Sequence, residues 1–200
     1  MSRTPPRATA ALVLLLMTTH AATAAVARQP FAALVLPRSL PFRALVGGQQ
    51  HALVAQGDWW RLLTSVFLHV DLLHLAVNAS SLWVLGALAE QRIGATRWLT
   101  VFILGGVGAS VASQLAGVPA SDGASGGAFA LVGLLLVARL RDGQRMDADA
   151  RWLLGRPLAV LALLNLVAGF ALPGVDGVAH VAGLVLGALL GLGVRWQALD

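Results

Sequence analysis

Four polar side chains carry the chemical interest of this sequence: Ser125, His180, His74 and Asn78. Ser125 stands in Gly123-Ala124-Ser125-Gly126-Gly127. A serine hydroxyl is a weak nucleophile until a neutral imidazole within hydrogen-bond distance takes its proton, and then it can attack a carbonyl. His180 is the candidate base. It opens a stripe of His180, Gly183, Gly187 and Gly191 along one helix face. A stripe of small residues admits a close neighbour, and the segment that carries Ser125 offers Gly126, Gly127 and Gly133 for that contact. His74 and Asn78 are spaced i, i+4, hence on one face, and both can donate hydrogen bonds. Such donors can hold the oxyanion of a tetrahedral intermediate, or they can glue two membrane helices together. The plainer readings for the other two are a packing serine and a histidine bonded to a backbone carbonyl.

The composition says what kind of element must position these groups. Hydrophobic residues make up 58% of the 200 and charged residues 12%, against about a quarter charged in soluble domains. The mean hydropathy is +0.78. A helix needs roughly 20 residues to cross about 30 Å of hydrocarbon. Six apolar stretches qualify or nearly do: 8–27, 72–89, 98–118, 123–138, 157–172 and 177–194. No strand pattern and no repeat is visible. The expected fold is therefore an all-α membrane protein of six spans, forming one domain over residues 1–200. No cysteine is present, which excludes disulfides and thiolate metal sites. The histidines lack the His-Glu-x-x-His spacing of zinc proteases, so no metal is expected. The formal net charge of +5 comes from fourteen Arg and no Lys. Most of these Arg lie between apolar runs, as membrane orientation requires, so the lipid bilayer rather than nucleic acid is the implied partner.

Charge also sets the orientation. Arg3 and Arg7 precede span 1, Arg92 and Arg97 join spans 2 and 3, Arg139 to Arg156 join spans 4 and 5, and Arg195 follows span 6. Positive charge marks the cytoplasmic side, which puts both termini there. The connection 28–71 carries four further Arg on the outer side, but it is long, and the rule concerns short loops. Trp59 and Trp60 suit an interfacial belt, and the short apolar runs of this connection suit a loop partly embedded in the outer leaflet. Span 1 has two readings, a retained helix or a cleaved secretory signal peptide; the retained helix is preferred. With this orientation spans 2, 4 and 6 all run inward, and His74, Asn78, Ser125 and His180 come to similar depth near the outer side. The run from Gly123 to Arg139 is about 16 residues, or about 24 Å at 1.5 Å each. That is short of the hydrocarbon thickness, so Ser125 starts its helix below the surface, where polar backbone must line protein or a water-filled cavity. Free N–H groups at such a helix start favour developing negative charge.

The remaining polar residues receive quieter readings. His20 is expected to be structural or cavity-lining, His51 an ordinary loop residue and His69 a residue of the cavity rim. Asn165 is expected to bond a neighbouring helix, and the Asp-rich segment 142–149 to be a solvated inner loop. The acid nearest His180 in sequence, Asp176, falls in an outer loop, so the expected catalytic unit is a Ser–His dyad without a buried carboxylate.

Taken together, several stretches resemble the rhomboid intramembrane proteases: Trp59-Trp60-Arg61-Leu62-Leu63-Thr64, then Phe67-Leu68-His69, then His74 and Asn78. Glu90-Gln91-Arg92-Ile93-Gly94 resembles the segment that closes the family's second helix. Gly123-Ala124-Ser125-Gly126 matches the Gly-x-Ser-Gly motif, and Ala179-His180-Val181-Ala182-Gly183 the Ala-His-x-x-Gly motif of the last helix. The resemblance covers residues 57–195. It implies a six-helix rhomboid bundle that hydrolyses peptide bonds in or near the transmembrane segments of single-pass or tail-anchored substrates, without a cofactor. It makes Ser125 the nucleophile, His180 the base, and His74, Asn78 and the Ser125 N–H the oxyanion hole, with Gly123, Gly126, Phe129 and Gly183 supporting the site. Phe129 replaces the Tyr that often stacks on the family's histidine. Arg61 and Glu90 become structural residues. The alternatives are a catalytically inactive rhomboid-like protein that binds membrane clients, and a small transporter or channel. The absence of Lys and the abundance of Ala, Arg and Gly suit a bacterial chain, and hence the inner membrane with the site opening outward.

Overall fold

A computed structural model describes residues 5–172 and 174–197. Arg3, used above for orientation, lies outside the described residues. Eleven α-helices are seen among them: α1 (Arg7–Ala25), α2 (Pro30–Val35), α3 (Leu40–Leu45), α4 (His51–Ala55), α5 (Arg61–Thr64), α6 (Leu72–Ile93), α7 (Ala95–Leu115), α8 (Ser125–Asp142), α9 (Ala148–Leu153), α10 (Arg156–Ala171) and α11 (Gly177–Gly191). The long helices fall where the apolar stretches predict, with ends shifted by a few residues. Among the described residues, four stretches are long and apolar enough to cross a membrane: Arg7–Ala25, Leu72–Ile93, Ala95–Leu115 and Ala148–Ala171. The helix α8 ends on Arg139, Arg141 and Asp142, and α11 has only 15 residues.

Burial distinguishes α8 from the rest. Every residue from Gly126 to Leu135 is buried, on all faces of the helix. A helix that is apolar all round must be enclosed, and α8 is enclosed by α6, α7, α10 and α11. The outer helices behave in the opposite way. Val160, Leu161, Leu163, Leu164, Val167 and Phe170 of α10 are exposed. In water such a patch would be an aggregation surface. In hydrocarbon it costs nothing, because the helix satisfies its own backbone. This is an all-α, multi-pass membrane protein.

Small residues set how closely the core helices approach. A Cβ on Gly183 would collide with the Gly126 carbonyl, one on Gly187 with the Ala130 carbonyl, and one on Gly133 with the Leu184 carbonyl. The stripe on α11 therefore meets α8, as its spacing predicts. Gly126 and Gly127 depart from that expectation: a Cβ on Gly126 would meet Ala109 and one on Gly127 would meet Phe102, both on α7 rather than α11.

The helix ends are tied by polar groups from distant parts of the chain. Glu90, in the last turn of α6, accepts the N–H groups of Ala8 and Thr9 at 3.0 and 2.8 Å and the Thr9 hydroxyl at 2.8 Å. It thus caps α1, whose first N–H groups have no partner within their own helix. Asp71 and Asp176 cap α6 and α11. The segment 142–149 is not simply solvated. Asp142 is buried and accepts the Trp196 N–H, while Asp147 caps α9 and pairs with Arg92. The strand reading also needs correction: Gln49–Gln50 pairs antiparallel with Ala120–Ser121. Two residues a side cannot produce a legible alternation in sequence. His51 begins the helix α4 rather than lying in a loop. Asn165 donates to the Leu161 carbonyl of its own helix at 2.9 Å, so its amide is satisfied locally and not across helices.

Candidate active site

Ser125 is the first residue of α8 and His180 lies in the first turn of α11. The contact of Gly183 with Gly126 brings these two helix starts together. His180 Nε2 and Ser125 Oγ are 3.0 Å apart, a hydrogen-bond distance. With a proton on Nδ1, Nε2 is an acceptor for the serine hydroxyl, the arrangement a general base requires. Phe129, one turn below Ser125, lies flat on the imidazole, with ring centroids 4.4 Å apart and planes at 19°. The stack limits rotation of the ring and needs no phenolic hydroxyl.

Asp176 does not bond the imidazole. It accepts the Ala179 N–H at 3.0 Å and the Ser113 hydroxyl at 2.5 Å. Its carboxylate is committed to capping α11 and tying it to α7, and it makes no hydrogen bond to the Ser125–His180 pair.

His74 and Asn78 lie on one face of α6. Gly123 adopts φ +132°, and a Cβ there would sit 2.7 Å from His74 Cε1 and 2.9 Å from Nε2. Only glycine allows both this backbone and this approach. The His74 imidazole thus rests against the chain two residues before Ser125. Asn78 is buried, and its Nδ2 donates to the His74 carbonyl at 2.9 Å. An amide NH₂ has two hydrogens, so one donor remains. Behind His74 lies His69, its ring edge-on at a centroid distance of 5.2 Å. His69 is 1% exposed, so it lies inside the protein rather than at a rim. Burial, reinforced by the nearby His74, His20 and Arg38, pushes its pKa down to about 3. His20 is also buried, with Nε2 at 2.9 Å from the Leu34 carbonyl.

One group of supporting residues escaped the sequence reading. Asp122, three residues before Ser125, is held by Arg43 Nε at 2.6 Å and by the Gln49 N–H at 2.9 Å. Burial pushes the Asp122 carboxyl up, while Arg43 pulls it down. The His51 N–H donates to the Pro119 carbonyl, and Gln114 donates to the His51 carbonyl. The connection between α1 and α6 is thereby clamped to the loop that leads into Ser125. Asp122 adjoins the Gly-x-Ser-Gly string, but its partner is 79 residues away in sequence, and no local pattern announces such a pair. Arg61 does as expected: its guanidinium donates to the Ala44 and Gly48 carbonyls and to Asp58, and stacks on Trp60.

A multi-pass helical bundle with a serine–histidine pair at two facing helix starts is the class that fold and site define. A model of the rhomboid domain matches residues 56–197. The chain belongs to the rhomboid family. It is 36% identical to Rhomboid protease GluP of Bacillus subtilis over 150 residues, which is 73% of this chain and 29% of that protein. It is 34% identical to RHOMBOID-like protein 5 of Arabidopsis thaliana over 161 residues, 79% of this chain and 51% of that one. It is 32% identical to Rhomboid protease GlpG of Salmonella newport over 138 residues, 67% of this chain and 48% of that one. The chain thus spans about half or less of the length of these relatives.

Proposed function

We propose that the protein is an intramembrane serine endopeptidase, and that its substrates are membrane-anchored proteins cut in or near their transmembrane segments. The observation that carries this reading is the 3.0 Å approach of His180 Nε2 to Ser125 Oγ at the start of the enclosed helix α8. A substrate helix hides its carbonyls in hydrogen bonds, so the segment to be cut must first unwind. His180 takes the Ser125 proton as Oγ attacks the carbonyl carbon. The oxyanion is held by the Ser125 N–H, by the His74 imidazole and by the free hydrogen of the Asn78 amide. His180 then gives the proton to the leaving amine, and water resolves the acyl-enzyme by the same route in reverse. No step calls for a cofactor.

Under this reading α1, α6, α7, α8, α10 and α11 are the six spans of a single rhomboid domain. Both termini are cytoplasmic, and the site opens to the outer face of a bacterial inner membrane. The short α8 and α11 suit a site set below the outer surface. Span 1 is retained in this reading, which is supported by Leu12 and Leu16 of α1 joining the core and by the Glu90 cap.

The test is labelling of the purified, detergent-solubilised protein by a fluorophosphonate, comparing wild type, Ser125→Ala and His180→Ala. Labelling of wild type alone is the expected outcome. No labelling of a folded wild type would favour an inactive client-binding protein, and equal labelling of all three would sink the dyad.

A further inference from the structure

On the side of the bundle away from the dyad, the C-terminal end of α8 and the loop beyond it form a cleft of about 560 Å³. Arg139, Arg141, Arg145 and Arg151 all line it, and Asp142 is its one acid. Asp142 offsets only part of that charge: one oxygen accepts the Trp196 N–H at 3.2 Å, and the other lies 3.8 Å from Arg145, itself a lining residue. Among the described residues, Arg139, Arg141 and Arg151 have no carboxylate partner. Arg139 uses Nε on the Arg151 carbonyl, and Arg141 uses Nη1 on the carbonyls of Gly191 and Leu192. Each guanidinium has five N–H donors, so most of them remain for a ligand, and these bonds anchor Arg139 and Arg141 in place.

The neighbouring surface is apolar. Trp152, next in sequence to Arg151, opens a second cleft of about 470 Å³, lined also by Arg156, Pro157, Val160, Leu161 and Leu164. Trp152 is 70% exposed, and Leu140, in the basic cleft, is 85% exposed. Positive-inside orientation accounts for arginines in this loop. It does not account for four of them lining one cleft when Trp152, the residue that follows Arg151 of that lining, lines an apolar one. A soluble anion would use only the first cleft, whereas a molecule with a phosphate and an acyl chain would fill both.

We propose that this is a binding site for one anionic phospholipid of the inner leaflet. The phosphate lies among Arg139, Arg145 and Arg151, and an acyl chain runs along Trp152 and Leu161. Basic pockets at the cytoplasmic ends of membrane helices suit anionic headgroups, and guanidinium binds phosphate through paired, charge-assisted hydrogen bonds. A zwitterionic headgroup brings its own cation into a cleft that already holds four. The site rests on the placement of these loops at the inner surface and not on the Ser125–His180 chemistry.

Native mass spectrometry of the full chain in non-ionic detergent tests it, with phosphatidylglycerol, phosphatidylcholine and glycerol phosphate as separate probes. Expected is retention of one phosphatidylglycerol, with phosphatidylcholine and glycerol phosphate each held at least tenfold more weakly. The double variant Arg145→Gln, Arg151→Gln loses that preference by about tenfold. Arg195→Gln, exposed and outside the cleft, keeps it. Trp152→Ala weakens retention of the lipid and leaves glycerol phosphate unchanged. Equal retention of the two lipids overturns the proposal, as does an equal loss in Arg195→Gln and the double variant. Equal retention of glycerol phosphate and phosphatidylglycerol would reduce the site to one for a soluble anion and overturn the lipid assignment.

Discussion

A hydroxyl and an imidazole in hydrogen-bond contact are common; what distinguishes Ser125 and His180 is how little freedom their surroundings leave them. Phe129 lies flat on the ring, Gly183 lets α11 touch the start of α8, and Gly123 makes room for His74. The same crowding fixes His69, which is buried and neutral, with its pKa lowered to about 3 from the model-peptide value of 6.5. In the unfolded chain that imidazole takes up a proton once the pH drops below about 6.5, while the folded protein resists until about 3. The unfolded state thus binds more protons across that window, and stability falls as the pH falls. Thermal unfolding of the purified protein between pH 8 and pH 4 should show this loss, and His69→Gln should flatten it. Parallel curves for the two proteins would show that the acid sensitivity comes from another group.

At the scale of elements, the connection between α1 and α6 acts as a brace. Arg61 gathers the Ala44 and Gly48 carbonyls. Arg43 and Gln49 hold Asp122, and the short β pair joins the connection to the loop before α8. Asp122 is almost fully enclosed, with its side chain 1% exposed. Removing one partner of a buried pair leaves the other charge uncompensated, at a cost of about 3 kcal/mol. Asp122→Ala should therefore lower the free energy of unfolding by about that amount and slow fluorophosphonate labelling of Ser125. Adding Arg43→Ala to it should cost little more, because the interaction is already gone. Additive losses in the double variant, measured by denaturant unfolding, would mean that the two residues act separately.

The whole molecule is a bundle built around α8, with α1 held to α6 at one end by a single carboxylate. Glu90 accepts two N–H groups and a hydroxyl from the start of α1. Loss of a helix cap costs roughly 0.5–2 kcal/mol. Glu90→Gln retains one amide oxygen as an acceptor, so about 1 kcal/mol is expected, together with faster protease cleavage before α6. Protection equal to wild type would show that apolar contacts alone retain α1.

Much of this was legible in the residues alone, because the bilayer simplifies the code. Hydrophobic length locates helices, arginine marks a side, and a polar residue inside a span is too costly to be idle. The all-α membrane class, the six apolar segments and the meeting of the α11 glycine stripe with α8 all come from such one-dimensional signals. Tertiary structure decided what depends on distant partners. It committed Asp176 to Ser113, turned the Asn78 amide onto the His74 carbonyl, closed Asp122 on Arg43 and placed Glu90 under α1. A hydrogen bond or ion pair is satisfied by whichever group the packed helices bring within about 3 Å, and periodicity along one segment carries no information about a partner eighty residues away.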